Sequence, residues 1–141
     1  MQQSLENTRC ASHAGSWYDG NPKNLSSDLK NWLDKAELTN NPTKMKAVMG
    51  PHAGYKFCGH VSAFGYKYVQ KFSSTQAWKT VFLLGPSHKV GFEGCALSPC
   101  TTWETPIGNF QVNHQIIEDL KNNKLVKFLE SNKDVDEAEH S

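Results

Sequence analysis

Two stretches of this chain close an apolar run in the same way, and no other feature limits the fold as much. Val48-Met49-Gly50-Pro51-His52 and Leu83-Leu84-Gly85-Pro86-Ser87-His88 each carry apolar residues into Gly-Pro and then into a histidine. Proline has no N–H to give to a ladder, so an apolar run that meets it reads as a buried strand ending there. Residues 45–49 and 80–84 are therefore expected to be strands. Between them Phe57, Val61, Phe64, Tyr68 and Phe72 recur at helical spacing and predict a helix with one apolar face. Strand, helix, strand in that order suggests a parallel β-α-β unit. The expected class is α/β, with a mostly parallel central sheet and flanking helices.

The remaining elements follow from local signals. Asn21-Pro22 supplies an N-cap and a first-turn proline, and Leu25, Leu29, Trp32, Leu33 and Ala36 keep helical spacing, so residues 22–37 read as an amphipathic helix. Residues 39–43 form a loop around Asn40-Asn41-Pro42. Short strands are expected at 95–98 and 109–112, with a loop over 101–108. Asn113 can cap a helix bearing Ile116, Ile117 and Leu120. Residues 125–129 either extend that helix or form a short strand. The first 20 residues look irregular, and by charge alone the acidic residues 134–139 read as a solvated tail.

Size and composition narrow the function classes. The 141 residues suit one compact domain, which would bury roughly two-thirds of its extended-chain surface. A net charge of +1 gives no case for nucleic acid or an anionic membrane surface. No apolar run reaches the roughly 18 residues that span a bilayer. Residues 1–9 hold no apolar stretch, so no secretory signal is read and the cytoplasm is the default compartment, with the nucleus left open. Cys10, Cys58, Cys95 and Cys100 make no C-x-x-C pair and read as free, buried or half-buried thiols.

The chemistry centres on His52 and His88. On parallel neighbouring strands both would sit just past the C-terminal strand ends, where open α/β sheets place ligands. The proline before each imidazole restricts the backbone, and the glycine permits a sharp exit. Two imidazoles on one rim suit iron, copper or zinc. A histidine after a strand is equally at home as a hydrogen-bonded loop residue, and two imidazoles do not complete a transition-metal site. His13-Ala14-Gly15 echoes His52-Ala53-Gly54, either as a third contribution or as coincidence. Trp17 and Tyr18 beside it either line a cleft for an aromatic or peptide ligand or anchor the N-terminal arm in a core. His60 and His114 read as surface residues. No phosphate-binding loop or nucleophile elbow occurs. Cys58, six residues after His52, would serve as a nucleophile only if space paired it with a histidine.

Four segments stand in order: Ala11-Ser12-His13-Ala14-Gly15-Ser16-Trp17-Tyr18, Pro51-His52-Ala53-Gly54-Tyr55, Leu84-Gly85-Pro86-Ser87-His88 and Asp136-Glu137-Ala138-Glu139-His140-Ser141. Together they resemble the successive motifs of the Memo family, mediators of receptor-tyrosine-kinase-driven cell motility. The resemblance implies an α/β fold similar to class III extradiol dioxygenases. It also implies iron or copper held by His52 and His88 with a cysteine that lies outside this chain. Memo proteins are thought to act as metal-binding, redox-linked adaptors that engage phosphotyrosine peptides of receptors. The implied peptide and ligand pocket takes His13, Trp17, Tyr55, Phe57 and His140.

The sequence departs from the family in three places. Phe57 stands where the family often has tyrosine, and Lys89 where it often has a second histidine. Family members continue past the Glu139-His140-Ser141 motif into an apolar segment. The chain is therefore expected to be the N-terminal portion of a single Memo-like domain, with residues 134–139 the start of a core element rather than a tail. Two rival expectations accompany this one: a non-haem-iron oxygenase using the same pocket, and a product without an intact pocket.

Overall fold

The computed structural model describes residues 8–76, 78–123, 128–130 and 133–140. It is a mixed α/β chain that divides into two compact units, one of residues 13–82 and the other of residues 1–12 with 83–141. Each has its own internal logic.

In the first unit, α1 spans Pro22–Lys35. Asn21 caps it as expected, its side-chain oxygen accepting from the N–H groups of Lys23 and Asn24. The second helix, α2, spans Tyr55–Ser73 and packs against α1. Its buried residues are Cys58, Gly59, Ala63 and Phe72. This corrects the expected apolar face, since Phe57, Val61 and Phe64 are 66%, 51% and 45% exposed. The reason is steric. A β-carbon on Gly59 would lie 2.5 Å from the Trp32 ring of α1, so the helices approach over the small residues rather than the large ones. Ahead of α2, the chain from Asn40 is pinned by Tyr68, whose hydroxyl accepts from Asn40 N–H at 2.9 Å and donates to Asn40 O at 3.1 Å.

The second unit holds two small sheets. In one, β1 (Thr8–Arg9) pairs parallel with β3 (Thr102–Trp103), which pairs antiparallel with β4 (Phe110–Gln111). In the other, β2 (Cys95–Leu97) pairs parallel with β5 (Phe128–Glu130). The helix α3 spans His114–Lys121 and is capped by Asn113, as expected, and α4 spans Lys133–Ala138. Leu97 and Cys100 are buried here. Residues 125–127 of the expected 125–129 element lie outside the described residues, and residues 128–130 are strand.

Other sequence expectations fail as well: β3 at Thr102–Trp103 lies inside the expected 101–108 loop. Residues 45–49 and 80–84 form no strand among the described residues, so the β-α-β unit is not formed by them. An apolar run becomes a buried strand only when neighbours take up its N–H and C=O groups, and no described strand pairs with either run. They remain exposed, Met49 at 98% and Leu84 at 85%. The reading of residues 134–139 by charge alone, as a solvated tail, is also overturned. Residues 133–138 are helix, and the carboxylates of Asp136, Glu137 and Glu139 are engaged by the protein rather than solvated. Among the described residues no helix is long and apolar enough to cross a membrane.

Candidate functional site

The site residues fall into the two units and are built up separately. In the unit of residues 13–82, His13 to Tyr18 form a tight turn. His13 O accepts from Trp17 N–H at 3.0 Å and Ser16 N–H at 3.2 Å, Gly15 N–H donates to Tyr18 O at 2.7 Å, and Gly15 takes φ +83°. A residue with a β-carbon would be strained at that φ. Gly54, its counterpart in the sequence echo, has φ −55° and serves instead as the N-cap of α2. A β-carbon there would come within 3.3 Å of Trp17 O. His13-Ala14-Gly15 and His52-Ala53-Gly54 are thus alike in sequence and different in backbone.

The turn is fastened to the start of α2. Tyr55 N–H donates to Trp17 O at 2.8 Å, and the Tyr18 and Tyr55 rings lie 5.6 Å apart. Tyr55 also meets Trp32 edge-on at 6.4 Å, while His13 and Trp17 meet edge-on at 6.2 Å. Burial pushes the Tyr55 hydroxyl pKa up, so it stays a phenol at neutral pH. Phe57 is exposed, with the Lys56 ammonium 4.7 Å from its ring centre. His13, Trp17, Tyr55 and Phe57 therefore sit around one helix start. His52 is exposed two residues before the N-cap of that helix.

Cysteine chemistry is not set up for nucleophilic attack at three positions. Cys58 is buried and its thiol donates to Ala53 O at 2.9 Å. The hydrogen bond to Glu137, aided by burial, pushes the Cys10 thiol pKa up, and burial does the same for Cys100. A raised thiol pKa leaves less thiolate to attack or to bind metal.

In the second unit, the surroundings of His88 are organised by one carboxylate. Glu139 Oε2 accepts from the backbone N–H of His88 at 2.6 Å and of Lys89 at 3.2 Å. Its Oε1 lies 2.8 Å from His88 Nδ1 and accepts from His140 N–H at 3.0 Å. The His88 and His140 rings stack with centroids 4.2 Å apart and planes at 31°. Burial works against ionisation of Glu139, yet the backbone and ring groups of His88, with the N–H groups of His140 and Lys89, hold its pKa down at about 2. The segment carrying Glu139 is tied to β1. Arg9 Nη2 donates to Asp136 O and Glu139 O, both at 2.8 Å, and its Nε to Asp136 O at 3.0 Å. Ser98 Oγ donates to Asp136 Oδ2 at 2.5 Å and accepts from Trp103 Nε1 at 3.1 Å. Cys10 N–H donates to Glu137 Oε1 at 2.9 Å, and Ser12 Oγ donates to Glu137 O.

The sequence singles out His88 and His140 as candidates but not Glu139 or Arg9, which the structure places around His88 and its segment. The available signal was a glutamate directly before a candidate histidine. His60 and His114 are exposed, as expected.

The attachment of Glu137 has a consequence in acid. The Cys10 backbone N–H is the main cause of its lowered pKa, followed by opposing burial and then by the Cys10 and Lys133 side chains. A carboxylate whose folded pKa lies below its unfolded one stabilises fully above the unfolded value, 4.5, and that contribution is lost as pH falls below it. Acid titration of amide exchange in residues 8–12 is expected to show weakening below pH about 4.5. Glu137→Gln should flatten that limb, and an unchanged limb would show that Glu137 does not carry it.

A family model described as Memo-like protein matches residues 9–141. The chain belongs to the Memo-like protein family. The Caenorhabditis elegans protein memo-1 homolog is 40% identical over 136 residues, which cover 96% of this chain and 37% of that protein. Protein MEMO1 of Danio rerio is 38% identical, and that of Homo sapiens 37%, each over 133 residues that cover 94% of this chain and 42% of the relative. The chain thus spans well under half the length of these relatives.

Proposed function

We propose that this chain contributes two imidazole ligands, His52 and His88, to an iron or copper centre of a Memo-like, redox-linked adaptor. The observation that carries the reading is the carboxylate behind His88: Glu139 Oε1 stands 2.8 Å from Nδ1. Metal-binding histidines characteristically present one ring nitrogen and hand the other to a carboxylate or carbonyl. Family membership and the repeated Gly-Pro-His exits at His52 and His88 support the same assignment. Imidazole donors suit iron and copper, and a further donor would complete the site. The metal, when bound, would supply one-electron chemistry.

The adaptor part of the proposal assigns His13, Trp17, Tyr55 and Phe57 to recognition of a receptor's phosphotyrosine peptide in the cytoplasm, with His140 beside the metal ligand. Exposed Phe57 with Lys56 over its ring offers an aromatic face and a cation together, which is the chemistry a phosphorylated aromatic side chain needs.

The test is a chelator-competition titration of Cu(I) and Fe(II) against the full chain, His52→Ala and His88→Ala. Each variant is expected to bind at least 10-fold more weakly, about 1.4 kcal/mol or more. Wild-type affinity in both variants would reject the ligand assignment.

A further inference from the structure

We infer that Glu139 is a positioning residue for His88: it holds the ring proton on Nδ1 and fixes the ring so that the lone pair sits on Nε2. What that lone pair binds rests on the metal proposal above, whereas the geometry stands on the unit of residues 83–140 with its β1 arm.

The carboxylate is anchored independently of the ring it faces. Its oxygens already accept three backbone N–H groups, those of His88, Lys89 and His140. Arg9 also binds the Glu139 carbonyl at 2.8 Å, holding the backbone from which the side chain projects. A side chain secured at that many points cannot turn to suit the imidazole, so the imidazole must turn to suit it. An ionised carboxylate only accepts hydrogen bonds. At 2.8 Å from Oε1, Nδ1 must therefore be the ring nitrogen that bears the proton in the neutral imidazole. The His140 ring, stacked at 4.2 Å, blocks one face and limits rotation of His88. Its own Nδ1 lies 3.6 Å from the same Oε1, so the one carboxylate sits behind both rings.

A merely structural glutamate would affect folding but not the ring tautomer, so the test reads the tautomer. The full chain, labelled with 15N and 13C and free of metal, is compared at neutral pH with Glu139→Gln. His88 ring resonances are assigned from their loss in His88→Ala. Wild type is expected in the Nδ1–H form, and Glu139→Gln is expected to move toward Nε2–H, because an amide can donate to Nδ1 as well as accept. Cu(I) affinity by chelator competition should fall 10- to 100-fold in Glu139→Gln. An unchanged His88 tautomer, or a wild-type chain already in the Nε2–H form, would overturn the inference. If Glu139→Gln fails to fold, Glu139→Asp keeps the charge on a shorter arm. Partial loss of the Nδ1–H form there supports the inference, and full retention with the Nδ1 contact broken overturns it. A tautomer shift in a chain that binds neither Cu(I) nor Fe(II) supports the positioning role while rejecting the metal proposal, so the two fail separately.

Discussion

Replacing Arg9 with alanine is expected to destabilise the unit of residues 83–140 and its β1 arm by about 2–4 kcal/mol. Arg9 does several things at once. It donates to two carbonyls at the end of α4, pairs with Asp136 Oδ1 at 3.2 Å, and lies 4.6 Å over the Trp103 ring centre. Its side chain is 18% exposed and that of Asp136 14%, so water compensates little when the guanidinium is gone. Removing one partner of such a pair leaves the other charge desolvated and unmet, which costs more than the pair contributes. Ser98 still donates to Asp136 Oδ2, which keeps the expected cost below the upper range for fully buried pairs. Arg9→Lys should recover less than half, because a single ammonium cannot reproduce the fork in which Nη2 binds both carbonyls while Nε binds Asp136 O and Oδ1. The Lys30–Asp34 pair on α1 is the internal control. Its side chains are 75% and 56% exposed, and Lys30→Ala should leave stability close to that of wild type. Urea denaturation with amide exchange across α4 measures all three. An Arg9→Ala variant within 0.5 kcal/mol of wild type would show that the attachment of α4 to β1 is dispensable.

That attachment also marks where sequence reasoning stopped. The signals for α1 and α3 are local, an asparagine cap followed by apolar residues at helical spacing, and both helices form where expected. The strands at 95–97 and 110–111 likewise fall inside their expected segments. The failures are all non-local. Residues 45–49 and 80–84 have the composition of buried strands, but composition does not supply a neighbour to pair with. Phe57, Val61 and Phe64 were expected inward with Phe72, yet they are exposed, and the helix meets the Trp32 ring at Gly59, where a β-carbon would lie 2.5 Å from it. Residues 134–139 look solvated by charge, and nothing near them in the chain announces Arg9, 127 positions before Asp136. The candidate site divides the same way. His52 and His88 were legible from a repeated motif, whereas Glu139 acquires its role from N–H groups about 50 residues upstream.

Gly59→Ala separates packing from helix propensity in the unit of residues 13–82. Propensity alone favours alanine in a helix interior by about 1 kcal/mol. Against that, the new methyl would lie 2.5, 2.6 and 2.8 Å from three Trp32 ring atoms. Overpacking of this kind costs about 1–3 kcal/mol, so the net effect is expected to be a loss of up to about 2 kcal/mol. Trp32 does not yield cheaply, because its ring meets Tyr55 edge-on, and Tyr55 in turn stacks on Tyr18 and donates its N–H to Trp17. Displacement should therefore travel to the candidate peptide residues, and chemical shifts of Trp17 and Tyr55 should move with the loss of stability. Gly65→Ala provides the contrast. Its methyl would meet a single side-chain carbon, Val48 Cγ2, at 2.7 Å, and Val48 is 44% exposed. That methyl can give way toward solvent, so part of the propensity gain survives and Gly65→Ala is expected to be as stable as wild type or more stable by up to about 1 kcal/mol. If Gly59→Ala proves as stable as Gly65→Ala, the close approach of α1 and α2 is not what keeps Phe57, Val61 and Phe64 exposed.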